Sequence, residues 1–123
     1  MCCNNYWQQY CNPRCNRCAC MPPLSCATGF SFLKRDAVTG APIENAGFSL
    51  RCAGTVVSTA FSDVGGYVRF AYVVPGVYDM REDIAPAGYQ RNSAIYTVVK
   101  DEYGFVTIDG QPSGGFAVEN APL

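Results

Sequence analysis

Alternating apolar and polar residues, the pattern of half-buried β-strands, recur along the chain from Phe30 to its end. These segments are rich in Val, Phe, Tyr and Thr, which suit a pleated surface, and Gly- or Pro-containing turns separate them. No stretch carries the apolar stripe of an amphipathic helix. Many short strands with regular turns predict an all-β fold, a single antiparallel β-sandwich. The predicted strands are Phe30–Lys34, Phe48–Cys52, Val56–Phe61, Tyr67–Tyr72, Val77–Glu82, Ile95–Lys100, Phe105–Ile108 and Phe116–Asn120.

Three of the predicted strands carry an apolar row that ends in a polar residue. Alternate residues of a strand share one face of the sheet, so each row points to one side. The rows are Phe30, Phe32 and Lys34, then Tyr78, Met80 and Glu82, then Phe116, Val118 and Asn120. A buried lysine or carboxylate is costly unless it is paired or neutralised. Three such polar ends in one small core suggest that the three side chains meet.

If these side chains meet, burial favours the neutral forms of Lys34 and Glu82. A neutral lysine amine is a nucleophile. A protonated Glu82 could then hydrogen-bond the side-chain carbonyl of Asn120, polarise it, and relay protons as ammonia leaves. The product would be an isopeptide bond between Lys34 and Asn120, formed once per molecule. In the alternative, Lys34 and Glu82 are solvated at strand ends and Asn120 is a terminal turn residue. The only other lysine, Lys100, ends an ordinary strand and is expected to be a solvated charge.

Several motifs in the β region are specific enough to suggest a family. Residues Tyr78–Tyr89 read YDMREDIAPAGY, and the opening of the region reads FLKRD at Phe32–Asp36 and TGAPI at Thr39–Ile43. These segments resemble the Cna-B (SpaA-like pilin) domain, whose Tyr-x-Leu-x-Glu-x-x-Ala-Pro-x-Gly-Tyr box is matched with Met80 in place of Leu. The resemblance covers essentially all of 30–123 and implies a sandwich of prealbumin or immunoglobulin type.

The resemblance also implies a role for the polar residues. In that family the lysine of the opening, the glutamate of the box and an Asn or Asp of the last strand form an intramolecular isopeptide bond. Position by position, these residues are Lys34, Glu82 and Asn120. Sortase-assembled pilins resemble this domain but carry a Leu-Pro-x-Thr-Gly-type signal, a membrane helix and a basic tail, whereas this sequence stops at Leu123. We therefore expect that the chain is not a sortase substrate.

Cysteine divides the chain into two parts, because seven of the eight cysteines lie in the first 26 residues. We predict that 1–29 is an irregular Cys-rich arm and that 30–123 is the sandwich. The arm cysteines could form disulfides, within one subunit or between neighbours, or a four-thiolate zinc centre around Cys15-x-x-Cys18. Disulfides are favoured, since the spacing lacks the paired knuckles of zinc ribbons and the chain has no histidine. The arm cysteines are Cys2, Cys3, Cys11, Cys15, Cys18, Cys20 and Cys26.

The tip of the arm has the features of an interface. The adjacent Cys2 and Cys3 are better placed to reach a neighbour than to bridge within the arm. The aromatic residues Tyr6, Trp7 and Tyr10 are large anchors of the kind found between subunits. Repeated head-to-tail contacts produce open fibres when the rotation does not close.

The single cysteine of the β region, Cys52, follows Phe48 and Leu50 on one face. It is predicted to be either a buried inert thiol or the partner of an arm cysteine, from the same or a neighbouring chain.

Composition narrows the function further. The net charge of −1 argues against nucleic acid as a partner, and no apolar run is long enough to span a bilayer. Without histidine, a nucleophile motif or a phosphate-binding glycine loop, neither an enzyme nor a cofactor is expected. The N-terminus shows no recognisable signal peptide. We predict a structural subunit of a fibre on the cell or spore surface of a Gram-positive bacterium, with other copies of itself as partners. The alternatives are a monomeric adhesin or binding module, and a zinc-binding arm on a sandwich.

Overall fold

The computed structural model describes residues 28–123, which form nine strands and one short 3₁₀ turn. The first strand begins at Thr28, two residues before the predicted start of the sandwich. The strands are β1 Thr28–Asp36, β2 Gly47–Cys52, β3 Thr55–Phe61, β4 Tyr67–Tyr72, β5 Gly76–Ile84, β6 Ile95–Lys100, β7 Val106–Ile108, β8 Gln111–Pro112 and β9 Ala117–Asn120, and the 3₁₀ turn is Ser113–Gly115.

Two sheets form the sandwich. One sheet has the strand order β4-β1-β9, and the other has the order β3-β2-β5-β6-β7-β8. Among these strands every pairing is antiparallel except that of β1 with β9, which is parallel. The all-β, mainly antiparallel sandwich predicted from the sequence is therefore confirmed, and the pairing of β1 with β9 is the one parallel pair among these strands. The chain passes from β1 to β2 and β3 of the other sheet, returns for β4, completes the other sheet with β5 to β8, and ends in β9, which runs beside β1 in the same direction.

The predicted strands all occur, and Tyr67–Tyr72 and Ile95–Lys100 have the predicted bounds. The first strand is longer than expected and ends at Asp36, whose carboxylate accepts the backbone N–H groups of Val38 and Thr39. Those bonds cap the turn that follows, which explains where the strand ends. The two-residue β8 and the 3₁₀ turn were not predicted, because both are too short to show any periodicity.

Aromatic side chains from both sheets fill the core. Phe32 of β1 lies edge-to-face against Phe48 of β2, with ring centroids 5.1 Å apart, and so joins the two sheets. Phe116, just before β9, makes a second edge-to-face contact with Tyr96 of β6 at 5.4 Å. Such pairs add about 0.5–1.5 kcal/mol beyond the burial of their apolar area. They fix the positions of β1 and β9 relative to the opposite sheet.

The core holds a buried lysine at each end. Lys34 lies at the end where β1 and β9 pair, beside Glu82 of β5. Lys100 lies opposite Gly76, at the start of β5. Glu82 is six residues further along β5, which is about 20 Å in an extended strand. The two lysines are therefore well separated and occupy different surroundings.

Candidate site of an internal crosslink

The pairing of the first and last strands brings Lys34 and Asn120 to the same place. In the parallel ladder, Lys34 lies opposite Val118, and Asp36 lies opposite Asn120. Because alternate residues share a face, the side chains of Lys34 and Asn120 both point into the core, two residues out of register. The Lys34 amine also donates a hydrogen bond from Nζ to the Val118 carbonyl oxygen, at 3.4 Å. The amine is thus directed along β9 toward the amide.

Glu82 reaches the same place from the opposite sheet. Its Oε2 accepts a hydrogen bond from Asn120 Nδ2 at 2.8 Å and lies 3.9 Å from Lys34 Nζ. Lys34 and Glu82 are both 0 % exposed and Asn120 is 1 % exposed. The structure therefore brings the three side chains together inside the core, and Lys34 and Glu82 are not solvated strand ends.

Burial changes the chemistry of the Lys34 amine. Removal from water lowers its pKa from 10.5 to about 8, although the nearby carboxylates of Glu82 and Glu119 favour the charged form and oppose this effect. The ring of Phe48 lies below the amine, with Nζ 5.9 Å from the ring centroid. A lysine with this pKa is uncharged in about a tenth of molecules at neutral pH, so a useful fraction of the amine is nucleophilic.

The amide of Asn120 is oriented differently from the arrangement expected from the sequence. Glu82 contacts the amide nitrogen rather than the carbonyl oxygen, and the buried Oδ1 has no hydrogen-bond partner among residues 28–123. A half-turn of the amide would place Oδ1 against Glu82 Oε2, which requires a protonated Glu82 as donor. In the observed orientation, the nitrogen that would leave as ammonia already contacts the carboxyl group.

The connector between β5 and β6 supports Glu82, and the sequence did not reveal this. The backbone N–H of Asn92 donates to Glu82 Oε1 at 2.6 Å, and Arg91 donates from Nη1 to the Glu82 carbonyl oxygen at 3.0 Å. These residues lie in an irregular segment with no alternation, so no pattern could have linked them to Glu82. Each oxygen of the Glu82 carboxyl group therefore accepts a hydrogen bond, Oε1 from Asn92 and Oε2 from Asn120.

The expectation that Lys100 is a solvated charge is wrong. This residue is 1 % exposed, and its Nζ donates to the Val73 carbonyl oxygen at 2.6 Å. Burial lowers its pKa to about 8, and the charge of Asp101 opposes that effect. Tyr96, Val98 and Lys100 form an inward row like the other three, so alternation did carry the signal.

The predicted disulfide and interface residues of the arm lie outside the described residues. This applies to Cys2, Cys3, Cys11, Cys15, Cys18, Cys20, Cys26, Tyr6, Trp7 and Tyr10. Cys52 is 4 % exposed at the end of β2 and is disulfide-bonded, with a partner outside the described residues. Which cysteine pairs with Cys52, and from which chain, stays a prediction.

Two further features bear on the site. Between Thr28 and Leu123, no three His, Cys, Asp or Glu side chains are grouped so that they could hold a metal ion. No helix in that part of the chain is long and apolar enough to cross a membrane.

The fold and the site together define a prealbumin-like β-sandwich whose first and last strands meet at a buried lysine. Residues 28–112 match the family described as SpaA, a prealbumin-like fold domain, and the chain belongs to that family. This confirms the family resemblance drawn from the sequence motifs. No curated protein matches the chain.

Several solved structures similar to this chain are pilus proteins. A C-terminal fragment of the pilus adhesin SpaC from Lactobacillus rhamnosus GG is 26% identical, with 79% of this chain and 45% of that chain covered and a TM-score of 0.61. The pilus adhesin RrgA from Streptococcus pneumoniae is 25% identical, with 69% and 11% covered and a TM-score of 0.60. A backbone pilin of Streptococcus pyogenes is 25% identical, with 61% and 16% covered and a TM-score of 0.57. The chain spans less than half the length of each of these proteins.

Proposed function

We propose that this chain is a structural subunit of a bacterial surface fibre, and that Lys34 and Asn120 form an isopeptide bond with the help of Glu82. One observation carries the crosslink proposal: an amine, an amide and a carboxyl group converge in the core with essentially no exposure to water. A purely structural ion pair of this kind is weak evidence for stability, because desolvation offsets the attraction. Conversion of the amine into a neutral amide removes the cost of burying the charge of Lys34.

The reaction balances without an external reagent. Neutral Lys34 Nζ attacks Asn120 Cγ, a bond forms between these atoms, and the bond from Cγ to Nδ2 breaks. One proton of the amine passes through Glu82 to the leaving nitrogen, so that ammonia departs and Glu82 ends in its starting state. The protein loses the mass of one ammonia molecule. Because the bond forms once, the chemistry is maturation rather than turnover.

Such a bond would carry force along a short path. Lys34 is near the start of the sandwich and Asn120 near its end, and their strands are direct neighbours. Tension applied at the two ends would pass through the crosslink and leave the intervening strands unloaded. By analogy with a disulfide closing a loop of this size, the crosslink would stabilise the fold by roughly 4–5 kcal/mol.

Intact mass spectrometry of the fully reduced and denatured chain tests the crosslink. The wild type should be lighter than its sequence by one ammonia, and Lys34→Met should show the full mass expected for its sequence. Lys100→Met is the matched control, because Lys100 is equally buried, and this variant should retain the deficit. A wild-type chain at full sequence mass would refute the crosslink. Covalent multimers that survive reduction would mean that Lys34 joins one subunit to the next.

The proposed assembly device is the Cys-rich arm, through disulfides between neighbouring subunits. The disulfide-bonded state of Cys52 supports an oxidising location for the protein. Gel mobility without reductant should show a ladder that collapses to monomer on reduction, and serine substitution of both Cys2 and Cys3 should remove the ladder. Retention of the ladder in that variant would place the linking cysteines elsewhere.

A monomeric adhesive module is the second candidate, because SpaC and RrgA are described as pilus adhesins. Light scattering during size-exclusion chromatography distinguishes the two functions. A monomer at all concentrations under oxidising conditions favours the adhesin, and concentration-dependent growth favours the fibre subunit.

A further inference from the structure

We infer that Asn92 is a positioning residue that makes Oε2 of Glu82 the single oxygen through which the proton of Lys34 reaches the leaving nitrogen of Asn120. This inference rests on the proposed crosslink and adds to it a residue in the irregular connector between β5 and β6.

The two oxygens of Glu82 have different partners. Oε1 accepts the backbone N–H of Asn92 at 2.6 Å, while Oε2 faces Asn120 Nδ2 at 2.8 Å and Lys34 Nζ at 3.9 Å. Oε1 is held by a backbone N–H and faces neither reacting nitrogen, whereas Oε2 faces both. Oε2 is therefore the oxygen that is placed to take a proton from Lys34 and pass it to Asn120.

The side chain of Asn92 holds this geometry in place. Its Nδ2 donates to the Tyr96 hydroxyl and to the Glu119 carbonyl oxygen, both at 3.1 Å, and its Oδ1 accepts the backbone N–H of Ala94 at 2.9 Å. Glu119 directly precedes Asn120. Asn92 therefore ties the carboxyl group of β5 to the strand that carries the amide, and it does so without touching Lys34 or the amide itself.

The proton path follows from these contacts. As Nζ bonds to Asn120 Cγ, it gives one proton to Glu82 Oε2, and the same oxygen delivers a proton to Nδ2 as ammonia leaves. A single oxygen can serve both steps only if it lies near both nitrogens. A displacement of the carboxyl group by about 1 Å would slow such a transfer by roughly a hundredfold.

The test compares the rates of ammonia loss in freshly made chains. Wild type, Asn92→Ala, Asn92→Ser and Gln90→Ala are synthesised in a cell-free system, stopped with acid at intervals and analysed by intact mass. Gln90→Ala is the matched control, because Gln90 ties the same connector to the Pro122 carbonyl oxygen without contacting Glu82. Asn92→Ser keeps an oxygen for the turn at Ala94 but loses both Nδ2 donors. Both Asn92 variants should slow formation of the isopeptide bond by roughly ten- to a hundredfold, and Gln90→Ala should not change its rate.

The pH dependence of the rate separates positioning from general loosening. The charged or titratable groups around the carboxyl group are Lys34, Tyr96, Arg91 and Glu119. None of them is substituted in these variants, and only Tyr96 loses a hydrogen bond from Asn92. The rate should rise with pH as Lys34, whose pKa burial lowers to about 8, becomes neutral. Because the charge of Glu82 raises the pKa of Lys34, a carboxyl group displaced from Nζ should move this rise to lower pH. Loosening of the fold would instead return the amine to water and move the rise to higher pH.

Each outcome is decisive. If the wild type loses ammonia and the Asn92 variants do so with the same rate and pH profile, the role of Asn92 is refuted and the crosslink stands. If Asn92→Ser behaves as wild type while Asn92→Ala is slow, the turn at Ala94 suffices and the Nδ2 contacts are not the positioning device. If the wild type never loses ammonia, the proposed crosslink itself fails. Thermal unfolding of each variant, followed by circular dichroism, checks that the chains are folded at the assay temperature and that slow loss of ammonia is not due to unfolding.

Discussion

Before it reacts, Lys34 should make the stability of the domain depend on pH. The Asn120→Ala variant cannot form the crosslink and keeps Lys34 buried beside Glu82. The folded state lowers the pKa of Lys34 from 10.5 to about 8, so between these values the unfolded chain binds more protons than the folded chain. Stability therefore rises with pH through this window. Between about pH 7 and pH 9.5 the rise from Lys34 is about 2 kcal/mol.

The other buried lysine provides the reference for this measurement. Burial lowers the pKa of Lys100 to about 8 as well, so it contributes a similar rise. Urea unfolding followed by far-ultraviolet circular dichroism, with a reductant present, compares Asn120→Ala with the double variant that also carries Lys34→Met. Between about pH 7 and pH 9.5, the free energy of unfolding of the double variant should rise by about half as much as that of Asn120→Ala. With a urea dependence of about 1–3 kcal/mol per molar, the difference amounts to a midpoint shift on the order of 1 M.

Equal pH dependence in the single and double variants would refute the argument, because it would mean that Lys34 titrates normally in the folded chain. The window stops below about pH 10, where tyrosines of the unfolded chain begin to ionise. Burial raises the pKa of Tyr78 to about 12 in the folded chain. Ionisation of tyrosine would then favour the unfolded state and hide the effect of the lysines.

Three further predictions follow from single contacts. Gly66→Ala should destabilise the domain by at least about 2 kcal/mol in urea unfolding, because Gly66 has a φ of +81° and an added Cβ would lie 2.6 Å from the Lys34 carbonyl oxygen; an unchanged midpoint would contradict this. Phe32→Ala should cost about 3–5 kcal/mol by the same assay, since Phe32 is 2 % exposed between the two sheets. Tyr89→Phe removes the hydroxyl that donates to Asp36 Oδ2 at 2.8 Å, so the pKa of Asp36, which is lowered first by the backbone N–H of Thr39, should rise in an NMR titration. An identical Asp36 titration in both proteins would show that the hydroxyl has no effect.

The site could be predicted from the sequence to the extent that strand alternation defines it. Alternation placed Lys34, Glu82 and Asn120 at the ends of inward rows, and the family motifs pointed to the same residues. The parallel pairing of β1 and β9 was not predictable in this way, because periodicity fixes the face of a strand but not its neighbour. Asn92 lies in a segment that is ordered by individual hydrogen bonds, which leave no period in the sequence.

The error at Lys100 has a different cause. The row Tyr96, Val98, Lys100 carries the same alternation as the row that ends in Lys34, so the signal was present. The opposite expectation arises because a lysine at the end of a strand usually extends into solvent. Here the neighbouring loop at Val73 offers a buried carbonyl oxygen, which is a tertiary contact between segments 27 residues apart.

The comparison of the two lysines also shows what the proposed chemistry requires. Lys34 and Lys100 are equally buried, and burial lowers the pKa of each to about 8. A neutral amine is therefore available at both ends of the core, and the amine alone cannot decide where a bond forms. Lys100 donates to a backbone carbonyl oxygen, and attack on a backbone amide would cut the chain rather than release ammonia. Lys34 lies beside the side-chain amide of Asn120, whose nitrogen can leave as ammonia. The Oε2 atom of Glu82 accepts a hydrogen bond from that nitrogen. Selectivity between the two lysines thus comes from the acceptor and the proton path, both of which are set by the parallel pairing of β1 with β9 and by the position of Glu82 across the core.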